Sequence, residues 1–543
     1  MKAVYLKPNV VIEPLVDKWY AWSHLIAPAT AALNITGRHF KIMNSFMASP
    51  KIHMAAVRNP KMRGGPFMDL DVEHVQDIKE LKAETEREQQ LLIELAQAIQ
   101  ELNTLLQEKA RGYSLNALYE EVPALLKGYV ELVYDLNNQA SFRFFEPLLY
   151  QSPFYRPEAQ SIALWETNND ERPFVLSTPR LDNDPTVIHL EVPFSYEGID
   201  VLGQMKRQPR PFQEVKAMFN MLPAQEALFA SFFTTEAPEA YVPYQGEQVR
   251  MRYFGHACIL VETKDLSILL DPVISYYGYP NGVDRFSDLD LPEQIDYVLI
   301  THNHQDHILF ETLLPLRHKI KNIVVPQTSG GRLEDPNLKL IFNAAGFENV
   351  IEIGEMETIQ FADCTITGIP FVGEHGCLNV QAKMCHHVRV KDFSMLFMAD
   401  SCNIENQLYR HIQKITGNID ILFLGMECDG APMSWLYGPL LPQPLARDKD
   451  QSRRLAGSNF ERGRGLVEIF NPLEVYVYAM GQEPWLEFIS SIKYTEESTP
   501  IVQSNKLIDW CAQRGIVAER LFGEKEILYN KHKRTPTPMT TEG

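Results

Sequence analysis

Long hydrophobic runs are missing from this chain: nowhere in its 543 residues do about 18 apolar residues follow one another, so we expect no membrane-spanning helix. The first twenty residues, MKAVYLKPNVVIEPLVDKWY, also lack the apolar stretch of a secretory signal. Cysteine is sparse, with seven residues and no CxxC pair, which argues against the disulfide framework of a small secreted protein. These absences together predict a cytoplasmic protein with reduced thiols and no membrane partner.

Positive charge is scarce as well. The chain has 51 Lys and Arg against 70 Asp and Glu, a net charge of −19, which disfavours nonspecific binding to nucleic acid or to anionic membranes. We therefore expect neither as a partner. A GxGxxG flavin fingerprint and a CxxC-type iron–sulfur pattern are also missing. Redox chemistry in this chain would therefore need electrons from a separate reductase.

What is present divides into three predicted parts. Residues 1–245 mix helical and strand-like segments, and we expect an N-terminal α+β domain for dimerisation and substrate access. The stretch TTEAPEAYVPYQGEQ, 234–248, is rich in Pro, Glu and Gly and is interpreted as a linker. Short apolar strands then alternate with helices, which predicts a layered α/β catalytic domain over 246–530. Residues 531–543 are polar and rich in Pro and Thr, and we expect them to be disordered.

Several elements are expected within these parts. The segment from Asp71 to Ala110 is interpreted as one long charged helix with an apolar seam at 3-4 spacing. The seam either packs on its own domain or forms a subunit contact, and we expect it to contribute to a homodimer. Strands are expected at Ser161–Glu166, Pro173–Ser177 and Thr186–Val192, and a further one at MRYFGHACILVET. The residues of the seam are Leu92, Leu95, Ile99, Leu102 and Leu106.

The strongest chemical signal is THNHQDH, which directly follows the strand-like run Ile295–Thr301. Three imidazoles and a carboxylate within six residues at a strand end can converge on metal. His302 and His304 can reach one ion, and Asp306 and His307 a second. A lone HxH would be weak evidence, but HxHxDH after a strand predicts a dinuclear metal centre.

At this cluster the sequence resembles the metallo-β-lactamase superfamily. Gly255-His256 after the first strand and Asp271-Pro272 at the end of a later one lie where that superfamily places them. We assign His256 hydrogen-bonded support and no metal role. The resemblance implies an α/β fold, with a C-terminal metallo-β-lactamase αββα sandwich preceded by the mixed α+β N-terminal domain.

The remaining ligands depart from the hydrolase pattern of the superfamily. Where a third histidine is usual the chain reads FVGEHG, and we assign Glu374, with His375 as the competing ligand. Asp400 in LFMADS matches the bridging aspartate. Met480 stands where the final histidine is usual, and a thioether is a poor ligand for a hard ion. Glu427 in FLGMECDG is assigned as a further ligand; otherwise it orients a ligand or contacts substrate.

These substitutions make the predicted site anionic and rich in oxygen donors. Such a donor set suits iron better than the histidine-rich dizinc arrangement. Two irons that share an aspartate and keep open positions can react with O2, whereas zinc has no redox chemistry. We therefore assign catalytic roles to Glu374 and Glu427.

Beyond the superfamily, the chain resembles the diiron β-hydroxylases, the family that includes the β-hydroxylase of chloramphenicol biosynthesis, up to about residue 525. The likeness includes DKWYAWSHL (Asp17–Leu25), HMAAVRNPKMRGGPF (His53–Phe67) and FRFFEPLLY (Phe142–Tyr150), which lie outside the β-lactamase fold. It implies an oxo- or hydroxo-bridged pair of iron ions and O2 as co-substrate. It also implies that the substrate is an aminoacyl thioester on the phosphopantetheine of a nonribosomal peptide synthetase carrier domain, hydroxylated at its β-carbon in antibiotic biosynthesis.

Two other functions stay open at this point. One is a zinc-dependent hydrolase such as a thioesterase or lactonase, and the other is a noncatalytic carrier-binding scaffold. Metal analysis separates the three hypotheses, because the oxygenase should contain two irons, the hydrolase two zincs and the scaffold neither.

A basic stretch with a net charge of +3 could bind the carrier. It is either a solvated loop or a docking site for an acidic carrier domain or its phosphate. Its cations are Arg447, Lys449, Arg453, Arg454, Arg462 and Arg464.

Overall fold

A computed structural model of the chain describes residues 3–276 and 282–529. The tail at 531–543, predicted to be disordered, lies outside the described residues. Within the described ranges no helix is both apolar enough and long enough to cross a bilayer.

The N-terminal part contains nine strands and ten α-helices among its described residues. Strands β1–β9 are Ala3–Leu6, Val10–Val16, Trp19–Tyr20, Val130–Tyr134, Ala140–Phe144, Gln160–Glu166, Ile188–Leu190, Arg210–Pro211 and Phe233–Thr234. Helices α1–α10 are Ser23–Ile26, Pro28–Asn34, Phe40–Ala48, Pro50–Val57, Val75–Glu88, Gln90–Lys109, Glu146–Tyr150, Glu197–Gln204, Phe212–Met218 and Glu226–Ser231. A π-helical turn, Ile35–His39, joins α2 to α3.

The C-terminal part continues the numbering. Strands β10–β25 are Val249–Gly255, Cys258–Thr263, Leu266–Leu270, Tyr297–Leu299, Ile323–Pro326, Val350–Ile353, Thr358–Phe361, Cys364–Pro370, Met384–Val390, Phe393–Phe397, Ile421–Gly425, Ala431–Pro432, Arg454–Leu455, Glu474–Tyr478, Val517–Arg520 and Lys525–Tyr529. Helices α11–α18 are Phe310–Leu316, Leu338–Ala344, Asn406–Thr416, Ser434–Tyr437, Arg447–Ser452, Phe460–Phe470, Glu487–Ser490 and Thr499–Ala512.

Two mixed seven-stranded sheets face each other in the C-terminal part, in the orders β15-β14-β13-β12-β11-β10-β25 and β16-β17-β18-β19-β20-β23-β24. Strand β11 shows why they pack: Ile259 and Val261 enter the core between the sheets, whereas Cys258 and Leu260 enter the core on the outer face, following the period of two. Helices α11 and α12 cover one outer face, and α13, α16 and α18 cover the other. The predicted αββα sandwich is confirmed.

The N-terminal part is mixed α+β, as expected. Its four-stranded antiparallel sheet, β3-β2-β6-β7, packs against the sandwich, because Val10 and Ile12 of β2 share one buried cluster with Phe310 and Leu313 of α11. Helix α11 follows the THNHQDH segment almost directly. The N-terminal sheet therefore supports the predicted metal loop from behind.

The single helix expected over Asp71–Ala110 is wrong, because α5 and α6 are separated at Gln89, where φ is −105° and ψ is 20°. Each side chain of the seam is almost fully buried within the chain, in a cluster with α2 and the β4–β5 hairpin. The seam is therefore not available for a subunit contact. The homodimer itself stays a prediction.

Strand predictions fail where prolines interrupt the pattern or a turn divides it. Pro173–Ser177 forms no strand; instead Val175 N–H donates to Phe488 O at 2.9 Å. In place of Thr186–Val192, only Ile188–Leu190 is extended. The expected strand MRYFGHACILVET is the β10–β11 hairpin. It turns at Gly255, where φ is 109° and a Cβ would lie 2.7 Å from Trp485, so that glycine is required there.

The predicted linker has no strand or helix from 235 to 248. It packs along the sandwich, since Tyr241 Oη donates to Glu262 Oε1 at 2.9 Å. The boundaries at 245/246 and at 530 remain predictions.

Candidate metal centre

The candidate ligands come from loops at one edge of the sandwich. Strands β12 and β13 are parallel, so Asp271 and Thr301 emerge together, and the Thr301 N–H donates to Asp271 Oδ1 at 2.8 Å. Asp400 follows β19 in the facing sheet, and Glu374 follows β17. The parallel strands therefore place candidate ligands from distant segments of the sequence at the same edge of the sandwich.

One group of donor atoms surrounds His304. Its Nδ1 lies 3.2 Å from His302 Nε2 and 3.0 Å from Glu374 Oε1. All three side chains are buried. They form one of the clusters whose donor atoms are close enough to share an ion.

A second group is centred on Asp400. Its Oδ2 lies 3.2 Å from His307 Nε2 and 3.8 Å from His302 Nε2. Asp306 completes this side, because its carboxylate clusters with His307 and His256. Asp400 thus stands between the group around His304 and the group around His307, as a bridging carboxylate would.

Each imidazole is held by the nitrogen that faces away from the cluster. Asp271 Oδ2 accepts from the Thr301 hydroxyl at 2.5 Å and faces His307 Nδ1 at 2.8 Å. Thr301 Oγ1 in turn lies 3.0 Å from His302 Nδ1, and Tyr437 Oη lies 3.2 Å from His304 Nε2. These partners leave His302 Nε2, His307 Nε2 and His304 Nδ1 directed at the cluster, the arrangement that supports metal-bound histidines.

Charge within the cluster suits cations. Burial lowers the pKa of His302 well below its ordinary value, and the neighbouring imidazoles add to this effect. Burial also lowers the pKa of His307, but Asp400 and Asp271 outweigh it and raise that pKa well above its ordinary value. Burial raises the pKa of Glu374, but His304 and His375 outweigh it and lower that pKa. Glu374 is therefore anionic, and Asp400 and Asp271 favour positive charge at His307.

The residues fit two metal ions. Asp400 Oδ1 is buried and accepts no hydrogen bond from any part of the chain that the structure describes, a costly arrangement for a carboxylate unless a cation faces it. Donors bound to one ion at about 2.1 Å and roughly a right angle apart lie about 3 Å from each other. The distances from His304 Nδ1 to His302 Nε2 and Glu374 Oε1, and from His307 Nε2 to Asp400 Oδ2, have this size.

Of the seven predicted ligands, the structure brings six together and leaves Glu427 apart. Glu427 Oε2 accepts the Gly430 N–H at 2.5 Å, and Oε1 accepts from Tyr494 Oη at 3.3 Å. Burial, together with the nearby Asp400, raises the pKa of Glu427 to about 7. Its carboxyl is therefore held beside the centre by hydrogen bonds, and its role as a ligand stays a prediction.

The competing residue His375 does not join the donor groups. Its ring stacks on His304 at a centroid distance of 4.6 Å, and its Nδ1 lies 2.8 Å from Glu374 Oε2. Met480 is buried in an apolar cluster on the outer face of the second sheet.

His256, which the sequence analysis left without a metal role, lies in the cluster of Asp306 and His307. Its Nδ1 accepts the Gly481 N–H at 3.1 Å, so a neutral ring carries its proton on Nε2. That Nε2 lies 3.5 Å from Asp306 Oδ2. A protonated nitrogen cannot bind metal, and this geometry favours the support role.

Sequence reasoning missed Tyr437 and the role of Thr301. Tyr437 is 133 residues from His304, and no local pattern links the two. The sequence did contain a signal for Thr301. This residue lies between β13 and His302, and the parallel strand β12 leads directly into Asp271-Pro272.

The basic stretch is mostly engaged within the chain. Arg453 donates to Gly376 O at 2.7 Å, Arg454 to Asp429 O at 2.5 Å and Arg462 to Cys402 Sγ at 2.9 Å. Arg464 pairs with Glu461. Among the described residues, only Arg447 and Lys449 of this stretch are exposed without such a contact, which weakens the stretch as a docking site.

Known proteins resemble the chain over most of its length. The model of the diiron non-heme beta-hydroxylase N-terminal domain matches residues 5–238, and that of a beta-lactamase superfamily domain matches residues 267–433. The 4-amino-L-phenylalanyl-[CmlP-peptidyl-carrier-protein] 3-hydroxylase of Streptomyces venezuelae is 39% identical over 521 residues, 95% of this chain and 98% of that protein. The crystal structure of CmlA, a diiron beta-hydroxylase from Streptomyces venezuelae, matches with a TM-score of 0.91 and 37% identity, covering 97% of this chain and 100% of that one. A UPF0173 protein of Pyrococcus abyssi is 33% identical over 127 residues, 23% of this chain and 50% of that protein.

Proposed function

We infer the function of this chain from the family to which it belongs, the diiron non-heme β-hydroxylases. The chain is an enzyme that hydroxylates the β-carbon of an aminoacyl group bound to a carrier protein. We propose that the carrier is a domain of a nonribosomal peptide synthetase and that O2 is the oxidant. The observation that carries this proposal is the extent of the similarity, which covers 95% of the chain and so includes the N-terminal part as well as the metal-binding sandwich.

The family implies two iron ions, and the residues supply two groups of donors. His302, His304 and Glu374 would hold one ion, and Asp306 and His307 the other, with Asp400 between them. Bound in this way, the pair of irons would supply the redox chemistry that activates O2. The overall reaction balances when the substrate C–H bond provides two electrons and an external reductase provides two more with two protons, giving the C–OH group and water.

The chain's own residues position this chemistry. Asp271 and Thr301 fix the rings of His302 and His307, so these ligands need no reorganisation when metal binds. Glu374 adds negative charge where hydrolases of the superfamily place a neutral imidazole. We assign Glu427 proton delivery, because its carboxyl is held by Gly430 and Tyr494 beside Asp400 and burial raises its pKa to about 7.

The deciding experiment is intact-protein mass spectrometry of aminoacyl carrier proteins after incubation with enzyme, reductant and O2. The mass of one oxygen atom should be added to one aminoacyl carrier, and the label should appear when isotopic O2 is used. A zinc hydrolase would release the free amino acid and leave the carrier unoxidised, so the same spectra separate the two functions.

The ligand assignment has a matched pair of variants. His304→Ala should lose iron because it removes a donor at the centre of one group, whereas His375→Ala should keep both irons because its nitrogens lie outside the groups. Metal analysis of the purified variants measures this directly. Equal iron loss in both variants would mean that His375 is also a ligand.

Two partners belong to the proposal as well. An external reductase supplies electrons, and the enzyme works as a homodimer whose interface excludes the buried seam. Sedimentation at micromolar concentration tests the assembly, and a monomer would contradict it.

A further inference from the structure

One region of the chain has a charge pattern opposite to the whole. The chain carries 70 acidic residues, yet none falls between Asp17 and Asp69. Seven lysines and arginines lie in that interval: Lys18, Arg38, Lys41, Lys51, Arg58, Lys61 and Arg63. In a protein of net charge −19, this acid-free segment is a strong local exception.

The segment folds so that most of its charge reaches the surface. It contains β3, helices α1–α4 with the π-helical turn, and a 3-10 turn, Pro60–Met62. Helix α4 buries His53 and Ala56 and exposes the opposite side. Four cations are exposed, and none of them forms an ion pair within 4 Å among the described residues. These cations are Lys41, Lys51, Arg58 and Lys61.

Large apolar side chains lie among these cations. Ile52 is 61% exposed and Met62 is 37% exposed. We call the six residues Lys41, Lys51, Ile52, Arg58, Lys61 and Met62 the cationic face. A surface patch of one charge favours association with a partner of the opposite charge.

The cationic face borders a groove of about 710 Å³, within the range of about 300–1,000 Å³ found for sites that bury small ligands. The walls combine aromatic and apolar side chains with the cation of Lys41. They include Lys41, Ser45, Phe67, Phe174, Trp435 and Leu445.

Helix α14 connects the groove to the metal centre. Ser434 and Trp435 of α14 line the groove, while Tyr437 at the end of that helix contacts His304. Arg38 Nη2 donates to the Trp435 and Leu436 carbonyls at 2.8 and 2.9 Å. One short helix therefore separates the groove from a candidate ligand, and the acid-free segment holds that helix in place.

We propose that the cationic face docks an acidic carrier domain and that the groove receives its phosphopantetheine arm. This inference rests on the proposed function. The phosphodiester of the arm is an anion that Lys41 can attract, and an acidic domain needs a local positive surface on a chain that otherwise repels it. The basic stretch at 447–464 fits this role less well, since most of its cations are engaged within the chain.

The test is reversal of charge at three positions of the face, Lys51→Glu, Arg58→Glu and Lys61→Glu combined. The matched control reverses three exposed lysines of the sandwich, Lys264, Lys391 and Lys414, so both variants change net charge equally. Binding of a fluorescent holo-carrier protein is measured by anisotropy, and KM and kcat are measured with an aminoacyl carrier and with the aminoacyl-pantetheine thioester.

Reversal at the face should weaken carrier binding and raise KM for the carrier by about tenfold or more at low salt, and the effect should shrink as salt rises. The small thioester does not touch the face, so its KM should stay at the wild-type value. An unchanged KM for this substrate would show that the substitutions affect docking and leave the chemistry intact. Equal effects in the face variant and the control would overturn the docking proposal. A rise in KM confined to a variant carrying Arg447→Glu and Lys449→Glu would assign docking to the basic stretch instead.

The groove has its own test. Leu445→Trp should fill it and raise KM for both the carrier and the small thioester, whereas Leu445→Met should not. If Leu445→Trp leaves both values unchanged, the arm does not use this groove. Because holo-carrier binding is measured without turnover, failure of hydroxylation in the wild type would refute the proposed function and still leave docking tested.

Discussion

Replacing Asp271 by asparagine should separate metal binding from folding. The Asp271 carboxylate accepts three hydrogen bonds, from Thr301 N, Thr301 Oγ1 and His307 Nδ1. In Asp271→Asn one oxygen becomes an NH2 group. At the Oδ1 position this group meets the Thr301 N–H, and at the Oδ2 position it meets the His307 Nδ1–H. In either orientation two hydrogen-bond donors face each other. With the NH2 group at the Oδ2 position, His307 can relieve this by moving its Nδ1 proton to Nε2.

The magnitude follows from those contacts. A proton on His307 Nε2 occupies the lone pair that faces Asp400, and loss of such a supporting partner typically lowers metal affinity 10–100-fold, about 1.4–2.8 kcal/mol. A lost hydrogen bond to a buried charged group should also lower the free energy of unfolding by about 1.5–3 kcal/mol. The variant should therefore fold, with weakened iron binding.

Iron affinity by chelator competition and thermal unfolding of the metal-free protein measure the two effects. Asp335→Asn is the matched control, since Asp335 is fully buried and its oxygens accept the Ser329 and Ala382 N–H groups at 2.6 and 2.8 Å. It should lose similar stability and keep its iron affinity. Wild-type iron affinity in Asp271→Asn would refute the argument that Asp271 sets the histidine tautomer.

Three further changes test other parts of the molecule. Burial raises the pKa of Asp17 from 3.8 to about 6, so this carboxyl destabilises the fold as pH rises from about 4 through 6. Asp17→Asn should therefore raise the free energy of unfolding by up to about 3 kcal/mol at pH 7 and flatten the plot of Tm against pH. An unchanged plot would contradict this. Glu374→His should keep the fold, lose hydroxylation and shift metal content toward zinc, while Glu374→Asp should retain iron with altered O2 reactivity; wild-type single turnover in Glu374→His would show that Glu374 is not decisive. Leu102→Ala in the buried seam should lower the free energy of unfolding by about 2–5 kcal/mol without changing the oligomeric state seen in sedimentation, and a change in assembly would contradict the burial of the seam.

The sequence predicts that candidate ligands lie close together in space where they are close neighbours along the chain. His302, His304, Asp306 and His307 follow one buried strand, so the chain itself holds them within reach of one another. Asp400 is predicted only through resemblance to a fold, because nothing in LFMADS shows that its strand ends beside the first. The resemblance left both Glu374 and His375 as candidate ligands. Which of the two side chains faces the centre depends on the conformation of a single loop.

Other features depend on contacts that no local pattern contains. The break at Gln89 lies in a segment whose helical periodicity continues on both sides. Pro173–Ser177 has strand-like residues, but its backbone partner is Phe488 in the short helix α17, more than 300 residues away. Glu427 stands at a strand end like a ligand, yet Gly430 and Tyr494 hold its carboxyl.

The two halves of the chain depend on each other for physical reasons. Every residue of α11, which begins three residues after His307, is buried, and the N-terminal sheet covers it. Glu311 on this helix receives both guanidinium nitrogens of Arg172 at 2.8 Å. Without the N-terminal part, α11 would expose its apolar face to water, and Glu311 would lose its ion pair with Arg172. The N-terminal part is therefore required for the metal loop to keep its geometry, which explains in physical terms why similarity to a diiron hydroxylase spans both halves.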